Sequence, residues 1–245
     1  MRKVLVTGAS GFVGGHIVQV LRSRGVAVRC LVRPTSRLDF IAPSAPEMAL
    51  GNVTEPETLA PALEGIDAVV HCAGLTRAAS RIDYFQVNEG GTGNLYTACK
   101  KRKEQIQRIV HISSLAAFGP SADGKPVTED SIPHPISDYG KSKLAGQRLA
   151  EACLDELPLS ILVPPAVYGP RDVDFYVYFK LVARGIMPFI GSKERQVSLI
   201  YVKDLAEAAI RVLFSDRAVG RTYLVDDGCI HTWASVGDAI GSAMM

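Results

Sequence analysis

Apolar residues arrive along this chain in short bursts, separated by longer stretches with helical spacing. Lys3 to Thr7 is a compact apolar run with β-branched residues and predicts a strand. A glycine-rich loop follows. Val13, Ile17 and Leu21 then recur at helical spacing, which predicts a helix with Gly25 as its stop. Val26 to Val32 predicts a second strand, closed by Arg33-Pro34. The first ~33 residues thus compose one β-α-β unit, near the minimum length for such a unit.

The alternation continues. Met48 to Leu50 predicts a short strand. Thr54-Glu55-Pro56-Glu57 matches a capping box, with Thr54 as N-cap, opening a helix that runs to about Gly65. Ala68 to Ala73 reads as an apolar strand, 82 to 101 as a helix, and Arg108 to Ser113 as a strand. Tyr139 to Glu156 has a helix pattern with Leu144, Leu149 and Cys153 on one face. Leu159 to Val163 is a strand ended by Pro164-Pro165. Strands alternating with helices predict an α/β fold with a doubly wound parallel sheet, whose ligand lies beyond the carboxyl ends of the strands. After about residue 164 the rhythm changes. Helices are expected near Phe175 to Arg184, Asp204 to Phe214 and Trp233 to Met244, with strands at Ser198 to Val202 and Thr222 to Val225.

Composition narrows the classes. With 245 residues and 47% apolar content, the chain can bury a sizeable core. A formal net charge of +2 points to neither a nucleic acid nor a membrane partner. The basic run Lys100 to Lys103 reads as the solvated end of a helix. Five cysteines, Cys30, Cys72, Cys99, Cys153 and Cys229, include no C-x-x-C, so neither disulfides nor a zinc site are expected. A reducing cytoplasm fits. The chain enters a strand by Lys3, so no signal peptide is expected, and no apolar run reaches the ~20 residues that span a bilayer. His16, His71, His111, His134 and His231 lack metal-ligand spacing, and no metal is expected. His71 and His111 lie inside strands and read as packed, hydrogen-bonded residues.

Gly8-Ala9-Ser10-Gly11-Phe12-Val13-Gly14 is a G-x-x-G-x-x-G loop between a strand and a helix. Glycines there let the backbone approach a pyrophosphate, and the helix N-terminus supplies N–H donors and positive potential. A nicotinamide dinucleotide is the implied ligand. NAD-binding units usually end the second strand with an acid for the ribose 2′-hydroxyl. Here the strand ends Leu31-Val32-Arg33, and Arg33 and Arg37 stand where a 2′-phosphate would be gripped. The expected cofactor is NADP, with NAD as the alternative. Asn52 reads either as an adenine-edge contact or as the cap of the following turn. The expected division is a dinucleotide-binding Rossmann domain over 1–164, to which later segments return, and a smaller substrate-binding region over 165–245.

Tyr139 and Lys143 stand four apart on one helix face. An ammonium close to a tyrosine stabilises its phenolate, so Lys143 is expected to lower the pKa of Tyr139 and make it a general acid or base. Ser114 ends the preceding strand at the ligand-facing edge, where its hydroxyl can hold the same substrate oxygen.

With these residues the chain resembles the short-chain dehydrogenase/reductase superfamily, in its extended, epimerase/dehydratase-like branch. Thr7 to Gly14 resembles the branch's T-G-x-x-G-x-x-G, and His71-Cys72-Ala73-Gly74 its strand-four motif. Val87-Asn88-Glu89-Gly90-Gly91-Thr92, Ser113-Ser114, Tyr139 to Lys143 and Pro165 to Pro170 are similar to its further motifs, as is Leu199 to Asp204. The resemblance implies a catalytic Ser114, Tyr139 and Lys143, with Lys143 also holding the nicotinamide ribose. It implies cofactor contacts from Gly8, Ser10, Gly11, Phe12, Val13, Gly14, Arg33, Arg37, Asn52, Val53, Ala73, Gly74, Asn88, Ile112, Pro165 and Val167. For Asn88, helix packing is the alternative. The branch also forms homodimers through a four-helix bundle.

Departures from the branch's pattern refine the expectation. Leu115-Ala116-Ala117 follows Ser114 where dehydratases carry acids, which argues against sugar dehydration. The missing acid on the second strand turns the reading from a recycled NAD towards reduction of a carbonyl, or oxidation of a secondary alcohol, on a small-molecule substrate. The chain stops soon after the helix at Trp233, so a shortened substrate region is expected. A nucleotide-sugar epimerase and a non-catalytic dinucleotide-binding sensor or scaffold remain the alternatives. Arg171-Asp172 and Arg195-Gln196 read as solvated loop residues, with a phosphate or carboxylate contact as the alternative, and Phe175, Tyr176, Tyr178 and Phe179 mostly as helix packing, with one or two of them flooring a substrate pocket as the alternative.

Overall fold

The opening unit is β1 (Lys3–Thr7), α1 (Phe12–Ser23) and β2 (Ala27–Val32), followed by β3 (Glu47–Leu50). A 3-10 turn at Pro56–Thr58 and the short α2 (Leu59–Ala62) lead to β4 (Ala68–His71). Then α3 (Arg81–Phe85), a π turn at Gln86–Gly90 and α4 (Gly91–Lys100) make one helical passage to β5 (Arg108–Ile112). The chain continues through α5 (Asp138–Glu151), β6 (Leu159–Val163), β7 (Ala166–Tyr168), α6 (Asp174–Val182) and β8 (Gln196–Val197). It finishes with β9 (Leu199–Tyr201), α7 (Val202–Leu213), β10 (Thr222–Leu224), β11 (His231–Thr232) and α8 (Trp233–Met244). This is a computed structural model, and it describes residues 3–121, 124–189 and 191–244.

Seven parallel strands form the central sheet in the order β3-β2-β1-β4-β5-β6-β10. The order reverses between β1 and β4, which opens a crevice at their carboxyl ends. Both faces are covered, as parallel sheets require. Leu5, Val69 and Ile109 point to one side, where Leu95 and Tyr96 of α4 and Leu144 of α5 pack. Val4, Val6, Val70 and Val110 point to the other, against Ile17 and Leu21 of α1 and Ala206 and Ile210 of α7. Each fully buried leucine or isoleucine here contributes about 2 kcal/mol of transfer free energy.

The later segments divide. β10 pairs with β6, and α7 lies beside α1 against the sheet. A separate apolar cluster joins Val182 of α6, Leu199 of β9, and Val236 and Ile240 of α8, with Phe175, Tyr178 and Phe179 packed against it. Tyr176 is exposed.

Local chemistry explains where the elements differ from expectation. The capping box at Thr54 does not form. Asn52 Oδ1 instead accepts from the Thr54 backbone N–H at 3.3 Å, and Thr58 Oγ1 donates to the Glu55 carbonyl at 2.7 Å, tightening the chain into a 3-10 turn. A capping box does form at Ser80, whose Oγ accepts from the Asp83 N–H while the Asp83 carboxylate accepts from the Ser80 N–H. The 82–101 helix is interrupted by the π turn. α5 ends at Glu151, short of Glu156, because the next backbone bonds shorten to the i−3 type, as in Cys153 N–H to the Ala150 carbonyl. β7, β8 and β11, of two or three residues each, are too short to show a periodicity.

Candidate active site

The glycine loop builds a cradle. β1 ends at Thr7 and the chain turns at Gly8, whose φ of 67° suits glycine. A Cβ at Gly8 would stand 2.7 Å from the Cys72 carbonyl and the Ala73 nitrogen, so the loop presses directly on the end of β4. At Gly14 a Cβ would meet Gly8 O at 2.3 Å, which brings α1 close beneath the loop. Gly11 caps α1 without a side-chain bond, and no acid stands in the first turn. The first-turn N–H groups, including those of Phe12 and Val13, are thus left to an outside acceptor, with the helix dipole behind them. Ser10, Phe12 and Val13 are half-buried around this end. The cradle fits the diphosphate of a dinucleotide.

At the end of β2, Arg33 and Arg37 are exposed and have no ion-pair partner among the described residues. The Arg33 backbone N–H donates to Ser36 Oγ at 3.0 Å. Asn52 caps its turn through Oδ1, the second of its two expected roles. Val53 is buried against α4, where a Cβ on Gly91 would stand 2.6 Å from it.

Hydrogen bonds tie the floor together. His71 links Thr7 Oγ1 at 2.7 Å to Thr92 Oγ1 at 3.0 Å, and burial pushes its pKa down to about 3, so it is neutral. The Ala73 N–H donates to Thr7 Oγ1 at 3.2 Å. Asn88, in the π turn, is 2% exposed and uses its whole amide. Its Oδ1 accepts from the Leu75 N–H at 2.7 Å, and its Nδ2 donates to the Leu75 carbonyl at 3.1 Å and to Ser142 Oγ at 2.8 Å. Asn88 therefore holds the Gly74-Leu75 loop to α5. π turns of this kind occur often at functional sites.

Above this floor the three polar candidates meet. Ser114 leaves β5 and accepts the Ala116 N–H at 3.2 Å. Tyr139 lies in the first turn of α5, which Ser137 caps by accepting the Gly140 N–H at 3.0 Å. One turn on, Lys143 is 8% exposed, and its Nζ donates to the Ile112 carbonyl at 2.9 Å. Burial lowers the Lys143 pKa to about 8. Burial also raises the Tyr139 pKa, against the opposing pull of its hydrogen bond with Ser114, while nearby Tyr84 adds to the rise. This corrects the expectation that Lys143 lowers it. The ammonium is turned onto a backbone carbonyl, and desolvation of the phenolate dominates. Gly74 stays small for the same arrangement, since a Cβ there would stand 3.1 Å from Asn88 Oδ1 and 3.8 Å from Lys143 Nζ. Pro165 and Val167 are half-buried where the chain leaves β6, and the Leu115 N–H donates to the Pro164 carbonyl at 2.7 Å beside them.

Three features were not assigned to the site by pattern. Tyr84 sits 6.0 Å from Tyr139 between ring centroids and donates to the Thr76 carbonyl at 3.2 Å. Arg171, read as a solvated loop residue, stacks on Phe40 near the glycine loop. Asp227, Cys229 and His231, spaced two apart, each bring a ligand-type atom within 4.8 Å of the others, and Asp227 Oδ2 and His231 Nε2 satisfy each other at 2.7 Å. Gly228 turns the chain between Asp227 and Cys229 with a φ of 76°, so the folding of the loop, not the two-residue spacing, brings the three together.

A sequence profile of the NAD dependent epimerase/dehydratase family matches residues 4–225. Ceramide reductase of Caulobacter vibrioides is 30% identical over 237 residues, covering 95% of this chain and 68% of that protein. The 3 beta-hydroxysteroid dehydrogenase/Delta 5-->4-isomerase of Mycobacterium tuberculosis is 29% identical over 248 residues, covering 92% of this chain and 65% of that protein. Among solved structures, UDP-glucose 4-epimerase of Thermus thermophilus in complex with NAD superposes with a TM-score of 0.84 at 27% identity, covering 99% of this chain and 83% of that one. No helix among the described residues is long and apolar enough to cross a membrane.

Proposed function

Because the chain belongs to the NAD dependent epimerase/dehydratase family, we propose that it is an NADP-preferring oxidoreductase interconverting a carbonyl and a secondary alcohol on an apolar small molecule. The observation that carries this reading is geometric: Tyr139, hydrogen-bonded with Ser114, stands one turn of α5 from the buried Lys143. Its phenol O–H can donate a proton. In reduction, Tyr139 Oη gives its proton to the substrate oxygen as the carbonyl carbon gains hydride, and Ser114 Oγ orients that oxygen. Lys143, anchored on the Ile112 carbonyl one helical turn from Tyr139, would hold the nicotinamide ribose. A nicotinamide cofactor held in the glycine cradle would supply or accept the hydride. Oxidation of the alcohol runs the same proton path in reverse.

Support for NADP comes from Arg33 and Arg37, exposed and without an ion-pair partner among the described residues, and from the absence of an acid at the end of β2. Support for an apolar substrate comes from the ceramide and hydroxysteroid relatives and from Ile132 and Ile136, 86% and 74% exposed in the loop just ahead of Tyr139. Residues 165–245 would supply the substrate-binding region, and the unpaired cysteines suit a reducing cytoplasm. A homodimer would use α3 and α5, where exposed Ile82 lines a cleft with Phe85.

Fluorescence titration with NADPH and NADH, beside Arg33→Ala, tests the cofactor reading. NADPH is expected to bind about tenfold tighter, with the gap erased by the substitution. Equal binding would remove the preference. The second reading, a nucleotide-sugar epimerase, draws on the likeness to the Thermus enzyme. Cofactor that survives prolonged dialysis would favour it.

A further inference from the structure

Arg171 holds a conformation that its side chain must justify. Its φ is 76°, in the left-handed region that residues with a Cβ rarely adopt. Among the described non-glycine residues, it shares that region with Ala45 alone. Strain of this kind persists only where the surroundings over-determine it, and it clusters at ligand clamps.

The surroundings are specific. The guanidinium carbon stands 3.7 Å from the centroid of the Phe40 ring, a close cation–π stack. Nη1 reaches the carbonyl of Gly11, 160 residues away, at 3.4 Å. A Cβ on residue 15 would stand 2.8 Å from that same nitrogen and 2.8 Å from Phe40, so α1 keeps a bare glycine where the arginine lies down. Next to it, His16 Nε2 bonds the Pro170 carbonyl at 2.9 Å and its ring stacks edge-on to Phe40 at 5.0 Å. The segment after β7 is thereby fastened across the first turn of α1. No carboxylate pairs with Arg171 among the described residues. A planar guanidinium held beside the phosphate cradle, with donors to spare, matches a diphosphate oxygen pair.

We propose that Arg171 is a ligand of the dinucleotide's diphosphate, so that cofactor binding and the seating of the segment after β7 are one event. This rests on the cofactor reading above. It adds a cation that the glycine loop itself lacks, delivered from the far side of the crevice by the segment that leads into the substrate region.

The test compares two ligands on the wild type, Arg171→Gly and Arg171→Gln. One is the tighter of NADPH and NADH. The other is its adenosine fragment without the diphosphate, either adenosine 2′-monophosphate or adenosine. The ratio of the two affinities is expected to fall about tenfold in both variants. Glycine tolerates the left-handed conformation, so Arg171→Gly is expected to keep fragment binding and to melt near the wild type without ligand. A change of under about threefold in the ratio in both variants overturns the proposal. Failure of the wild type to bind either dinucleotide would instead remove the cofactor reading. With ligand bound, the segment after Gly169 should gain protection from hydrogen exchange in the wild type and not in Arg171→Gly. Equal protection in both would also overturn it.

Discussion

The Lys143 ammonium donates to the Ile112 carbonyl at 2.9 Å, across the joint between α5 and the end of β5. Burial lowers its pKa from 10.5 to about 8. Between those values the unfolded chain binds the proton and the folded chain does not, so this group's contribution to unfolding free energy rises with pH. Below pH 8 the buried charge carries its full cost. The stability of Lys143→Met minus that of the wild type is therefore expected to fall from pH 8 towards 10.5, by at most about 1.4 kcal/mol per pH unit. Urea unfolding at several pH values measures it. A gap that does not change with pH would contradict the buried ammonium.

Tyr139 should matter to turnover and little to cofactor binding. Tyr139→Phe is expected to lower kcat for carbonyl reduction by about 10²–10⁴, with cofactor affinity within about twofold. Because burial raises its pKa, the wild-type rate should fall off only above the ordinary tyrosine range, and that alkaline limb should vanish in the variant. Steady-state kinetics across pH decide both points. Undiminished kcat in Tyr139→Phe would sink the mechanism.

Asn88 is a structural tie beneath the site. Asn88→Leu removes bonds of 2.7, 3.1 and 2.8 Å and leaves the Leu75 N–H and carbonyl unpaired. The expected loss is about 2–4 kcal/mol. Denaturant titration reads it, and a loss below about 0.5 kcal/mol would show the loop is held by other means.

Tyr96 and His111 form a buried pair. The Tyr96 hydroxyl and His111 Nδ1 meet at 2.7 Å, while His111 Nε2 lies buried with no hydrogen-bond partner among the described residues. Tyr96→Phe alone should cost about 1–3 kcal/mol by orphaning the second ring nitrogen. The double variant Tyr96→Phe/His111→Leu should recover most of that loss, since both polar partners are then gone. A double-mutant cycle tests the coupling, and additive losses would refute it.

The strands, the glycine loop and the Ser114, Tyr139 and Lys143 set were legible because each follows from local pattern. Apolar runs bounded by turn residues fixed the β1, β2, β5 and β6 assignments. A four-residue offset put Tyr139 and Lys143 on one helix face. Thr54 misled because a capping box is a pattern with competitors. Asn52 took the Thr54 N–H first, and the chain tightened before a full helix began. Ser80 was missed although it makes the box, since aspartate at N3 fits the sequence signature less well than glutamate.

The sequence by itself determined the parallel α/β scaffold, the glycine loop between β1 and α1 and the identity of the polar residues at the strand ends. These depend on periodicity and on offsets of a few residues along one element. Tertiary structure alone decided how those groups act. It turned Lys143 onto a carbonyl 31 positions back, spent the Asn88 amide on Leu75 and a serine 54 positions on, and laid Arg171 against a glycine 160 positions away. Desolvation and hydrogen-bond partners arise only when distant segments pack, and they move the pKa of Lys143 down and that of Tyr139 up.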